Sequence, residues 1–251
     1  MRVSTNSRPE PNRVTAILPA AGLGTRMGAE MPKQFLELDG LPVLIFTLHR
    51  LAACPAITGF VIATRAEEVD SILERVAMEN LGPPVRVVRG GDTRQDSVAN
   101  ALAEVPPDAD LILVHDAVRP LVTRDQIERV IAEAVSCDAA ILGVPAMDTV
   151  KEVKRGAPQG GGADVALITA TIPRERIVLA QTPQVFRASL LLEAFAKARQ
   201  DGVSASDEAG LIERMGRDVH VVAGSERNLK ITRPGDMQLA EYYLREERAA
   251  Q

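Results

Sequence analysis

Short apolar runs alternate along this chain with longer stretches in which apolar residues recur three or four positions apart. Val14 to Leu18, Phe60 to Ala63, Val85 to Val88, Leu111 to His115 and Ala140 to Val144 are rich in β-branched residues and predict strands. In Glu67 to Glu79, Val69, Ile72, Leu73 and Val76 fall on one helical face. Arg124 to Val135 repeats the pattern with Ile127, Val130, Ile131 and Val135. Both segments predict helices packed on a sheet. The early strands are almost wholly apolar rather than alternating, which suits parallel strands covered on both faces. The class is α/β, with right-handed crossovers.

The rhythm breaks after Met147. Lys151 to Arg155 is charged and extended, Gly156 to Gly162 is rich in Gly and Pro, and Val165 to Ile172 is β-prone again, which together predict a projecting hairpin. A lone hairpin is marginally stable, so it needs a surface to pack on, and a second copy of the chain is the expected one. A surface insertion without structure is the open alternative. Helices are then expected at Ala188 to Arg199 and Asp207 to Met215, the latter with Ser206 as N-cap. A strand at Val219 to Val222 and a helix from Pro234 to about Arg245 complete the pattern. The expected organisation is a loose tail over residues 1–12 and one domain over 13–251, with 147–175 as a β-arm.

Composition narrows the function classes. With 251 residues and 46% hydrophobic content, the chain has enough apolar material for one good-sized core. No apolar run approaches the roughly 18 residues of a membrane span, and the polar start with Pro9 and Pro11 offers no signal-peptide stretch. The expectation is a cytoplasmic protein with no membrane partner. A net charge of −5 and 3% aromatic residues argue against a nucleic-acid partner. Cys54 and Cys137 are too few for a disulfide framework and read as packing residues. His49 and His220 show no metal-ligand spacing to one another and read as structural or solvated.

Candidate chemistry begins where the first strand ends. In ILPAAGLGTRMGAEMPKQ, the small residues Ala20, Ala21, Gly22 and Gly24 let backbone N–H groups approach an anion, with the cations Arg26 and Lys33 close behind. Gly22, Gly24 and Gly28 miss the dinucleotide spacing, and Lys33 lacks the Walker context, so a different phosphate cradle remains. VHDAVRP places Asp116 and Arg119 just past a strand, at the carboxyl edge where open α/β sheets bind ligands. Asp116 suits a hydroxyl group or a screening divalent cation, or else a cap or turn. GGDTRQDS supplies Gly90, Gly91, Asp92, Arg94 and Ser97 at a polar strand-to-helix junction suited to a base or ribose, with capping by Asp92 or Thr93 the alternative. Lys230 precedes Thr232 and Pro234 and is read either as facing the sheet edge or as a surface lysine.

The segments PAAGLGTRM, PKQ, GGDTRQDSV, VHDAVRP, DTVK, AQTPQVF, SDEA and NLKITRP, in that order, closely resemble the 2-C-methyl-D-erythritol 4-phosphate cytidylyltransferase family. The likeness spans nearly the whole chain after the tail. It implies a Rossmann-like nucleotidyltransferase fold, a mostly parallel twisted sheet with helices on both faces, and a β-arm for dimerisation. It implies a reaction of CTP with methylerythritol phosphate that releases pyrophosphate, assisted by Mg²⁺. Ala20, Ala21, Gly22, Gly91, Asp92 and Ser97 would bind the nucleotide, and Arg26 and Lys33 would stabilise charge. Asp116, Arg119, Thr149, Arg174, Thr182, Ser206 and Lys230 would bind the acceptor, with Arg174 and Lys230 positioning its phosphate and Asp116 a candidate metal ligand. Thr149 and Arg174 would come from the partner subunit of a homodimer.

This sequence departs from the family pattern at Ser206, where Thr is common, at Pro173, where Asp is frequent, and in the extra glycines around Gly156 to Gly162. A hydroxyl is retained at the first, and the second stiffens the approach to Arg174. A ribitol 5-phosphate cytidylyltransferase would share the nucleotide half and differ at the acceptor. An NAD-dependent oxidoreductase is disfavoured by the glycine spacing, and a non-catalytic nucleotide sensor by retention of both cations.

Overall fold

The chain's structure, a computed structural model, describes residues 12–22, 33–155 and 166–250. The N-terminal tail, Gly24, Arg26, Gly28 and the Gly156 to Gly162 stretch lie outside these, as does the side chain of Lys33. The first half runs β1 (Val14–Pro19), β2 (Glu37–Leu38), β3 (Leu41–Pro42), α1 (Val43–Ala52), β4 (Ile57–Thr64), α2 (Val69–Ala77), β5 (Val85–Arg89), α3 (Arg94–Leu102) and β6 (Leu111–Val114). There follow α4 (Arg124–Cys137), β7 (Ala139–Pro145), β8 (Val150–Arg155), β9 (Ala166–Ile172) and β10 (Val178–Arg187). Last come α5 (Ala188–Asp201), α6 (Glu208–Arg214), β11 (His220–Ala223) and α7 (Pro234–Ala249).

Seven strands form one sheet in the order β11-β7-β10-β6-β1-β4-β5. All neighbours pair in parallel except β10, which is antiparallel to both β6 and β7. That strand contains AQTPQVF, where Pro183 and two glutamines hide the strand pattern. The pairing with β7 skips from Ala180 to Gln184, and this irregularity accommodates the proline.

Side chains alternate across a strand, so a strand buried on both faces feeds two cores. Val14, Ala16 and Leu18 of β1 pack with Leu44 and Leu48 of α1, Ile72 and Val76 of α2, and Ile127 and Val130 of α4. Ile17 points the other way, into a cluster with Val98 and Ala101 of α3, Leu191 and Ala194 of α5 and Ile212 of α6. Two expected core positions differ. Leu73 and Val135 are exposed, at 41% and 38%, because the sheet covers only the narrower faces carrying Ile72 with Val76 and Ile127 with Ile131. The N-cap of α6 is Asp207, not Ser206: the Asp207 carboxylate accepts from the Gly210 N–H at 3.1 Å, and Ser206 stands one residue outside.

A third cluster fixes the carboxyl edge. Leu38, Val43, Val118, Leu121, Ile231 and Leu244 tie α7 and the segment before it to the loop that follows β6. The Ile231 N–H donates to the Val118 carbonyl at 2.9 Å, which sets Lys230 beside the β6 loop. β8 and β9 pair antiparallel as a separate two-stranded sheet, the expected hairpin.

Candidate active site

Loops leaving the carboxyl ends of β1, β5 and β6 converge on one cleft, lined by Pro19 to Gly22, Gln34, Gly91 to Arg94, Ser97, Asp116 to Val118 and Lys230. Its floor is backbone. The Ala20 N–H donates to the Ala63 carbonyl at 2.7 Å, and the Gln34 side chain donates to the Ala20 carbonyl at 2.8 Å. Across the cleft, Thr93 caps α3 in a reciprocal pair with Asp96, which leaves Asp92 on the rim. The Gly91 N–H donates to Ser97 Oγ at 3.1 Å, and that hydroxyl donates to the Thr93 carbonyl at 2.9 Å. Ser97 is thereby buried as the brace of the loop. A Cβ on Gly90 would lie 2.7 Å from Ala21 Cβ, so this glycine lets the two loops close up, and one on Gly91 would lie 2.3 Å from Asp96 Cβ, so that glycine lets its own loop fold against α3.

The charge of the cleft centres on Asp116, which is 6% exposed. Lys230 Nζ lies 2.9 Å from its Oδ2, Arg119 Nε 3.2 Å from the same oxygen, and Arg94 Nε 3.3 Å from Oδ1. Arg94 also grips buried Glu208 with both terminal nitrogens, at 2.8 and 3.0 Å. Three cations thus face two carboxylates, which leaves the cluster net positive and suited to an anionic ligand.

Burial alone would raise the Asp116 carboxyl, but Lys230, Arg94 and Arg119 outweigh it and hold it well below the usual carboxylate range. For Glu208 burial prevails over Arg94, and its carboxyl is raised. Burial opposes the charge of Arg94, yet Glu208 and Asp116 keep its guanidinium above its ordinary value, whereas burial lowers Arg119.

Behind Asp116 a chain of hydrogen bonds fixes the neighbouring polar groups. The Asp116 N–H donates to Thr182 Oγ1 at 3.0 Å, and Thr182 Oγ1 lies 3.1 Å from His115 Nδ1. His115 Nε2 faces the Arg119 carbonyl at 3.0 Å, so that nitrogen carries the proton and Nδ1 accepts from Thr182. Burial pushes the imidazole down to about 4, so it is neutral near pH 7. Arg119 further donates to the Asn228 carbonyl at 2.8 Å, and the Asn228 amide to the Thr182 carbonyl at 2.9 Å. This links β10 to the Lys230 segment.

The cleft therefore brings together Ala20, Ala21, Gly22, Gly91, Asp92, Ser97, Asp116 and Lys230, with Arg119 and Thr182 directly behind. It does not bring in Thr149, Arg174 or Ser206. Thr149 and Ser206 are exposed, and Arg174 Nη1 donates to the Met147 carbonyl at 2.6 Å at the base of the hairpin. Both Asp116 oxygens are engaged by cations, which counts against this carboxylate as a direct ligand of a divalent ion. Arg94, read from the sequence as part of a base or ribose junction, instead pairs with two carboxylates. Sequence reasoning left Glu208, Gln34 and Asn228 out of the site. Each sits one or two residues from a position it named, but only the fold reveals that Arg94 and Glu208 meet.

A family model described as "IspD: 2-C-methyl-D-erythritol 4-phosphate cytidylyltransferase" matches residues 14–246. A protein of that name from Acidobacterium capsulatum is 53% identical over 240 residues, covering 93% of this chain and 98% of its own length. Another, from Solibacter usitatus, is 51% identical over 94% of this chain and 98% of its own. The crystal structure of 2-C-methyl-D-erythritol 4-phosphate cytidylyltransferase from Thermus thermophilus superposes with a TM-score of 0.72 at 35% identity, covering 93% of this chain and 99% of that one.

Proposed function

The chain belongs to the 2-C-methyl-D-erythritol 4-phosphate cytidylyltransferase family and transfers the cytidylyl group of CTP to that acceptor in isoprenoid precursor synthesis, and we propose that it does so by one direct displacement over Asp116. A phosphate oxygen of the acceptor forms a bond to the α-phosphorus of CTP as the bond to pyrophosphate breaks, and the leaving group takes the electron pair. The acceptor phosphate already carries a reactive oxyanion near neutral pH, because its second pKa is about 6. No strong base is needed. The observation that carries this reading is the net positive cluster of Arg94, Arg119 and Lys230 around buried Asp116 at the mouth of the sheet.

In this reading Ala20, Ala21 and Gly22 hold the triphosphate, and Gly91, Asp92 and Ser97 the nucleoside end. Arg26 and Lys33 act on charge growing at the α-phosphorus. Lys230, Arg119, Asp116, Thr182 and Ser206 receive the acceptor, and Thr149 and Arg174 of the partner subunit complete its site. Exposed apolar side chains on the hairpin and beside it, Val153, Leu167, Ile168, Val178 and Leu179, support burial of the arm against a second copy. The arm over 147–175 and the tail over 1–12 are then appendages of a single domain. The family's cation is taken to be Mg²⁺, which would neutralise phosphate charge. The crowding of Asp116 by three cations fits such an ion poorly, so the nucleotide's own oxygens are its natural ligands and no step is routed through Asp116 as a ligand. Among the described residues no helix is long and apolar enough to cross a membrane, which fits the proposed cytoplasmic enzyme.

Pyrophosphate release from CTP and Mg²⁺ with a panel of polyol phosphates tests the assignment. Turnover is expected with methylerythritol 4-phosphate, and preferential turnover of ribitol 5-phosphate would contradict it.

A further inference from the structure

Away from the cleft, at the β11 edge of the sheet, three unlike donor groups meet. Glu133 and Cys137 stand one turn apart on α4, at i and i+4, and so share a face. His220 opens the edge strand β11, paired with Ala140 of β7. A carboxylate oxygen of Glu133, the sulfur of Cys137 and an imidazole nitrogen of His220 all lie within 4.8 Å of one another. His220 Nδ1 is 2.7 Å from Glu133 Oε1, and the Cys137 thiol donates to the Glu133 and Ala139 carbonyls at 3.1 and 3.2 Å. None of the three has a part in the transfer chemistry above.

The frame that presents them is rigid. Val130, Ile131 and Ala134 bury the adjoining face of α4 in the core. Arg129 Nη1 donates to the Ala223 carbonyl at 2.9 Å, which ties the far end of β11 to the same helix. The donors therefore sit on a helix and a strand, not on loops, and their spacing is set by packing.

One nitrogen, one sulfur and one oxygen donor suit a borderline ion such as Zn²⁺, which takes three protein ligands with a fourth place open to water. Mg²⁺ prefers all-oxygen surroundings, so the two ions are sorted by chemistry. We propose that Glu133, Cys137 and His220 form a Zn²⁺ site that clips the edge strand to α4, separate from the cation that accompanies the nucleotide. On binding, the Cys137 S–H bond breaks and its proton leaves to solvent, the Nδ1–H that His220 directs at Glu133 breaks as the ring takes its proton on Nε2 instead, and the sulfur, Nδ1 and an oxygen of Glu133 each bond the metal through a lone pair. No electron is transferred.

Untagged protein in excess Mg²⁺ is titrated with Co²⁺, which reports a sulfur ligand by thiolate-to-cobalt charge transfer in the near ultraviolet. One equivalent should develop the band, and Zn²⁺ should abolish it. Cys137→Ser should lose the band with transferase activity unchanged, and His220→Ala should bind Co²⁺ more weakly by roughly tenfold or more, as loss of a direct ligand requires. The same band in Cys137→Ser, no band in the parent protein, or undiminished affinity in His220→Ala would overturn the site.

Discussion

Arg94 holds Glu208 through two parallel hydrogen bonds of 2.8 and 3.0 Å, joining the first turn of α3 to the first turn of α6 beneath the cleft. Glu208 is 1% exposed, and Arg94 is the only cation paired with it among the described residues. Deleting one partner of such a pair leaves a buried charge uncompensated.

Arg94→Ala should therefore cost about 3 to 5 kcal/mol of stability, since the Glu208 carboxylate would be stranded. Glu208→Gln should cost much less, because Arg94 keeps Asp116 as a partner and partial access to water. The double variant should recover a large part of the Arg94→Ala loss. Urea denaturation of all four proteins closes the cycle, and additive losses would show that the pair is not coupled.

The second consequence concerns Lys230, whose ammonium lies 2.9 Å from Asp116 and opens onto the cleft. Lys230→Ala should lower kcat/KM for the acceptor roughly a hundredfold or more, as removal of a transition-state charge partner does. Ile231 remains as the buried anchor of the segment, so the fold should survive. Steady-state kinetics with a circular-dichroism control reads both, and near-normal turnover would remove Lys230 from the acceptor site.

Gly91 makes a steric prediction. Its missing Cβ would sit 2.3 Å from Asp96 Cβ and 3.1 Å from the Asp96 carbonyl carbon, both on the first turn of α3. Gly91→Ala should push the loop off the cleft and raise KM for CTP by roughly tenfold or more, since a displacement of about 1 Å is costly in a binding loop. The thermal midpoint should move little. An unchanged KM would mean that this loop does not hold the nucleotide.

His115 makes a pH prediction. In the unfolded chain its imidazole takes a proton near pH 6.5, whereas burial holds the folded group down to about 4. Between those values the unfolded state binds more protons, so its contribution is fully present above pH 6.5 and is lost as pH falls, by about 2 kcal/mol at pH 5. The raised Glu208 acts in the opposite direction, so the variant is needed to isolate the histidine. His115→Gln should flatten the stability slope between pH 7 and 5, and an unchanged slope would show that the imidazole is not held neutral.

The parallel half of the sheet was legible because apolar runs such as Val14 to Leu18 are buried on both faces and need no tertiary information to stand out. The antiparallel strand β10 was not. Gln181, Thr182 and Gln184 are buried polar residues satisfied by partners far along the chain, and neither propensity nor periodicity registers such bonds. The loops of the cleft were legible as motifs, yet the motif order placed no contact between Arg94 and Glu208 or between His115 and Thr182. Ser97 shows the same gap. Its hydroxyl sits in a binding motif, and the structure commits it to bracing Gly91 and Thr93. Leu73 and Val135 obeyed helical spacing but fell just beyond the strip that the sheet covers.

In the proposed reaction the transfer is a single displacement with no enzyme nucleophile. Both ring nitrogens of His115 are already engaged, Cys54 is buried in the core under α1, and Cys137 lies on α4 away from the cleft. Exchange of labelled pyrophosphate into CTP measures this directly. With Mg²⁺ and CTP alone, exchange should be absent, and it should appear only when the acceptor or the cytidylylated product is supplied. Exchange without acceptor or product would demonstrate a cytidylyl-enzyme intermediate and contradict the account.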